Sequence, residues 1–124
     1  MKMVIAGGRD FKDYEVMSNV LRIFQKQIDE VVSGDAAGAD TLGARWGEEH
    51  NIPVIHFPAD WDHYGTQAGY IRNAKMAEYA DGVICFWDGK SRGTKHMIKT
   101  AHFNHLMYWV FDYKGNEIMK GNVE

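Results

Sequence analysis

Met3-Val4-Ile5-Ala6-Gly7-Gly8-Arg9-Asp10-Phe11 is the stretch on which the rest of the chain turns. Four apolar residues stop at a glycine pair, as a strand buried on both faces does when it delivers the chain into a tight turn. From Tyr14 onward, apolar residues recur at Met17, Val20, Leu21, Phe24 and Ile28, the spacing of one helical face. A buried strand, a glycine turn and an amphipathic helix together make the first part of a β-α-β unit.

Working outward, the unit repeats. Val31-Val32 leads into Ser33-Gly34 and a helix from about Ala39 to His50, with Leu42 and Trp46 on one face. Pro53 to Phe57 reads as a third strand. After a long connection from Pro58 to Gln67, a helix from about Gly69 to Tyr79 turns Met76 and Ala77 inward. Gly82 to Trp87 is a fourth strand, the loop from Asp88 to Gly93 opens a helix over Thr94 to Asn104, and Leu106 to Phe111 is a fifth strand. Strands alternating with helices demand right-handed crossovers that cover both faces of a parallel sheet. The expectation is therefore an α/β, Rossmann-like, doubly wound domain over residues 1–112. Its mainly parallel sheet has about five strands with helices on both faces, and residues 113–124 form a tail or an edge strand.

Composition narrows the function classes. At 124 residues, 45% hydrophobic and 25% charged, the chain suits one globular domain without disulfide or metal staples. Cys85 is the lone cysteine and sits in an apolar run, so no internal disulfide forms. The opening residues are too short for an export signal, and the expected location is cytoplasmic, with no membrane contact. A net charge of −3 with scattered Lys and Arg disfavours nucleic acid as a partner. The six histidines lack metal-site spacing, so no metal and no cofactor are expected. Met97, Met107 and Trp109 read as core.

In a parallel sheet, ligands gather at the carboxyl ends of the strands, where helix N-termini present free N–H groups. Four loops lie there. In the first, Gly7 and Gly8 allow close backbone approach, Arg9 supplies a planar fork for phosphate or carboxylate, Asp10 suits a helix cap or a sugar hydroxyl, and Phe11 completes the motif. The second runs from Ser33-Gly34 through Gly38 to Asp40. It has the small residues of an anion loop without the Gly-Lys-Ser/Thr ending of a Walker loop, and Asp40 is either a cap or a reactive carboxylate. The third mixes Trp61, His63 and Tyr64 with Arg72 and Asn73, stacking surfaces beside polar groups. The fourth, Gly89 to Gly93 with Thr94, offers N–H groups and a hydroxyl to an anion.

Several of these motifs occur in a family order. Gly7-Gly8-Arg9-Asp10-Phe11, Ser33-Gly34 with Gly38-Ala39-Asp40, Ala59-Asp60-Trp61, Gly65 with Ala68-Gly69, Arg72-Asn73-Ala74-Lys75-Met76 and Gly93-Thr94 resemble the SLOG superfamily over about Met3 to Val110, in particular its short YspA-like branch. That superfamily joins the DprA/Smf proteins and the LOG-type phosphoribohydrolases. The resemblance implies a Rossmann-like domain that binds a nucleotide or nucleotide derivative as a sensor or sequestering module, with self-association suggested by the LOG-type dimers. LOG-type enzymes cleave an N-glycosidic bond with an Arg-x-x-x-Met segment and a glycine run ending in a catalytic glutamate. Arg72 and Met76 match the first, whereas Met97 stands at the glutamate's place. A thioether neither moves protons nor stabilises an oxocarbenium ion. A hydrolase would then need another carboxylate, Asp10 or Asp40, with Arg72 on the phosphate. DNA handling of the DprA/Smf kind is the third alternative, opposed by the acidic balance.

Overall fold

A computed structural model describes residues 1–123. In chain order its elements are β1 (Lys2–Gly7), α1 (Tyr14–Phe24), β2 (Glu30–Ser33), α2 (Ala39–Glu49), β3 (Val54–His56), α3 (Trp61–Tyr64), α4 (Ala68–Tyr79), β4 (Gly82–Phe86), α5 (Arg92–Phe103), β5 (Met107–Phe111) and β6 (Glu117–Gly121). They form one sheet in the order β3-β2-β1-β4-β5-β6. The first five strands run parallel, and β6 returns antiparallel on β5. The fold is thus the expected α/β type with six strands rather than about five, because the tail beyond Asp112 turns back and pairs as an edge strand.

β1 shows why the sheet is covered on both sides. Met3 and Ile5 join a cluster with Met17, Leu21 and Trp46 from α1 and α2, while Val4 and Ala6 join one with Met76, Ala77, Met97 and Ala101 from α4 and α5. Alternate residues of one strand thereby fill two cores, and each large apolar side chain so buried contributes roughly 1.5–3 kcal/mol. Asp13 caps α1 by accepting from the Val16 N–H at 3.1 Å, and the helix passes into a single 3-10 turn before Ile28, which is buried though no longer helical. The connection from Pro58 to Gln67 is not featureless: it holds α3, capped by Asp60, and a 3-10 turn that runs directly into α4. Among the described residues no helix is long and apolar enough to cross a membrane.

Candidate functional site

Strand order reverses between β1, whose other neighbours lead to β3, and β4, which leads to β5 and β6. In an open parallel sheet such a reversal splays the following loops apart and leaves a crevice at the carboxyl edge. A cavity of about 500 Å³ lies there. It is floored by Met76 and Met97 and bounded by the loops after β1 and β4, by α2 and by α4.

The β1 side is tightly built. A Cβ at Gly7 would stand 2.3 Å from the Phe86 carbonyl oxygen and 2.8 Å from the Ala39 Cβ, so only glycine lets the turn lie this close to β4 and α2. The Gly8 carbonyl accepts from both the Phe11 and the Ala39 N–H, each at 3.2 Å. Phe11, expected to touch ligand, is 1% exposed and stacks on Phe86 at 4.9 Å. It holds the loop from beneath, because an aromatic ring there gains more from the core than from a polar cavity. Gly7, Gly8, Arg9 and Asp10 all line the cavity.

The second loop divides in the same way. Ser33 is fully buried, its hydroxyl donating to the Asp40 carbonyl and accepting from the Asp35 N–H, both at 3.2 Å, and it fixes the loop rather than facing the cavity. Gly38 sits at φ +80°, where a Cβ would meet the Gly8 carbonyl oxygen at 2.4 Å; it locks the two loops together and leaves α2 without a side-chain cap. Gly34 borders a side cavity of about 220 Å³ with Arg9, Trp61 and Arg72. Asp40 lines the main cavity although only 4% exposed. Loss of water pushes its carboxyl up to about 6, opposed by the nearby Arg72 charge and by the Ala36 N–H at 3.3 Å.

Arg72 projects from α4, donates to the Gly34 carbonyl oxygen and, through Nε, to Asn73 Oδ1 at 3.1 Å. Burial lowers its proton affinity and the Asp40 charge partly restores it. Asn73 in turn donates to the Gly93 carbonyl oxygen at 3.3 Å, tethering the first turn of α5. Trp61 remains 48% exposed at the rim, with the Arg9 guanidinium 5.8 Å from its ring centroid, so it is a free face rather than a core anchor. On the β4 side, Asp88 accepts from the Lys90 and Ser91 N–H groups at 2.8 Å, and Ser91 caps α5 by accepting from the Thr94 N–H at 3.4 Å. Gly93 and Thr94 line the cavity, and a Cβ at Gly93 would meet nothing within 4 Å.

Of the residues singled out from sequence, Phe11, Ser33 and Gly38 stand behind the walls, Gly34 borders the side cavity, and His63 and Tyr64 stack on each other at 4.3 Å outside the main cavity's lining. Three further residues belong to the site. Tyr113, in the tail, donates its hydroxyl to Asp10 Oδ1 at 2.5 Å and meets Phe11 edge-on at 5.1 Å; burial and this carboxylate together raise its proton affinity. Tyr70 lines the cavity and packs on His96 with the rings tilted and their centroids 4.4 Å apart, and burial lowers the imidazole's proton affinity. A tyrosine beside Gly69 at a helix start gives no sequence signal of such a role. Among the described residues no cluster of His, Cys, Asp and Glu could hold a metal ion. Cys85 is buried in β4, and that burial raises its thiol's proton affinity.

The parallel core, the reversal of strand order between β1 and β4 and the glycine-lined crevice at that point define a Rossmann-like domain. The sequence model of the YspA, cpYpsA-related SLOG family matches residues 1–64, and the chain belongs to that family. It is 34% identical over 111 residues to the Gene 61 protein of Mycobacterium phage D29, spanning 81% of this chain and 87% of that protein. In structure it is similar to DNA processing protein A (DprA) from Streptococcus pneumoniae, with a TM-score of 0.70 over 90% of this chain at 17% identity. The chain spans only 49% of that protein, and the likeness is one of fold.

Proposed function

We propose that the cavity binds a nucleotide or nucleotide-derived ligand and that the chain acts in the cytoplasm as a sensor or sequestering module. The observation that carries this reading is the arrangement of charge and aromatic surface around one space. The Arg9 and Arg72 guanidiniums stand on one side, the N-terminus of α5 with Gly93 and Thr94 on the other, and Trp61 and Tyr70 at the rim. Guanidinium forks and helix N-termini both receive phosphate, and exposed indole or phenol faces receive a base. A cavity of about 500 Å³ is of the size class that holds small-molecule ligands.

One observation favours a second reading, hydrolysis of the ligand's N-glycosidic bond. Asp40 is a buried carboxyl at the cavity wall whose proton affinity is raised to about 6, the range in which a group serves as acid and base near neutrality. Met97 supplies nothing of that kind from the floor, and Asp10 already accepts the Tyr113 hydroxyl. Binding without turnover is the better-supported reading. Incubation with nucleoside monophosphates, cyclic nucleotides and ADP-ribose, followed by chromatography and thermal melting, separates the two. A raised melting temperature with no free base is the expected result, and release of base would establish the hydrolase. No shift with any of them at large excess would remove both, since a ligand of the native state must stabilise it.

A further inference from the structure

Between Asp88 and Asp112 the chain carries Lys90, Arg92, Lys95 and Lys99 and no acidic residue, in a protein of net charge −3. Most of that charge rides on α5, whose two faces do different things. Thr94 and Met97 face the cavity described above. Lys95, Ile98, Lys99 and His102 face a separate groove of about 320 Å³ against β5 and β6.

The groove is almost wholly apolar, walled by Ile98, Trp87, Tyr108 and Met119 with Phe103 at its edge. Two of its polar groups pair with each other, His102 Nδ1 and the Tyr108 hydroxyl lying 3.0 Å apart. Phe103 is 75% exposed and Met119 40%. β6 pairs with β5 alone, so its outer edge offers unpaired backbone groups. Apolar side chains left exposed along one groove are a candidate interaction surface.

We propose that the groove between α5 and β6 docks an acidic segment of another protein bearing an aromatic or aliphatic anchor. The anchor fills the apolar groove, and carboxylates flanking it meet Lys95 and Lys99, which lie one helical turn apart on the same face. A nucleobase fits less well, since its polar edges would lose water against walls with few polar atoms to replace it. A second copy of the chain fits less well too. A two-fold contact through this face would bring Lys95 and Lys99 toward their own equivalents. The inference needs no ligand in the cavity.

Selection of a random displayed-peptide library on the immobilised full chain tests it. The expected winners carry Asp or Glu around a Trp, Phe or Leu. A synthetic copy should bind at least about tenfold more weakly to the Lys95→Glu/Lys99→Glu protein and to Phe103→Ser. All three side chains are exposed, so the melting temperatures of these variants should match the parent's. The charge-reversed protein should select basic flanks instead. No enrichment, winners without acidic bias, or affinity indifferent to the charge reversal would overturn the proposal. Two further outcomes would also overturn it: oligothymidylate binding abolished by the charge reversal, which assigns the face to nucleic acid, and a dimer that Phe103→Ser dissolves, which assigns it to a second copy.

Discussion

The two sides of the cavity are built to different tolerances. On the β1 side, Gly7, Gly8 and Gly38 lie in backbone contact, Phe11 and Tyr113 hold the loop from below, and Asp40 and Arg72 are committed to backbone partners. On the β4 side, the first turn of α5 faces open space at Gly93 and is held by Asn73 and the Ser91 cap. One wall is tied down by backbone contacts, and the other leaves open space at Gly93. A wall that is already ordered lowers the cost of binding any ligand, whereas an open wall sets what can fit.

The sharpest way to break this comparison is to add one methyl group to each side. Gly38→Ala forces a Cβ into the Gly8 carbonyl at a backbone angle that disfavours it and should cost about 3 kcal/mol or more of stability. Gly93→Ala should leave stability unchanged or raise it by up to about 1 kcal/mol, because nothing is there to strike and alanine favours the helix. Chemical denaturation of both variants decides it, and equal losses would erase the distinction.

Asp40 gives the next largest effect. Its folded carboxyl titrates near 6, above the ordinary 3.8, so the acid form is favoured by folding. The associated stability is fully present below about pH 3.8 and is lost as pH rises through about 6, up to about 3 kcal/mol. Asp40→Asn, which cannot ionise, should therefore gain stability relative to the parent between about pH 4 and 6.5 and hold a constant lead above it. A lead independent of pH would mean that Asp40 is not desolvated.

Smaller effects sharpen the division of roles. Arg72→Ala should weaken nucleotide binding about 10- to 100-fold by calorimetry, since it removes a charge-assisted partner at the fixed wall. Tyr113→Phe removes one hydrogen bond to Asp10 and should cost about 1 kcal/mol in melting experiments, with the fold intact.

Much of this was legible in the sequence because each strand and helix announces itself by period. Met17, Val20, Leu21 and Phe24 are the buried face of α1, and Gly82 to Phe86 is buried throughout, as a central strand should be. Loops carry no such period. Ser33 and Phe11 look like site residues because they sit inside site motifs, yet whether a loop side chain points at the cavity or at the core depends on neighbours distant in sequence. Phe86 and Tyr113 decide it for Phe11, and the Asp40 carbonyl decides it for Ser33. The same long-range dependence hid Tyr113 itself, which reaches Asp10 across more than 100 residues of chain. The tail's pairing as β6 was open for a related reason, since an exposed edge strand has no buried face to pattern.

The central claim is that one nucleotide-sized ligand spans the fixed and open walls. Nitrogen-resolved NMR of the labelled protein, titrated with nucleoside monophosphates, cyclic nucleotides and ADP-ribose, tests it most directly. Saturable shifts should appear together at the amides of Gly8, Arg9, Gly93 and Thr94 for at least one of these. Shifts confined to one wall, shifts clustered elsewhere on the domain, or none at large excess of every nucleotide would contradict it.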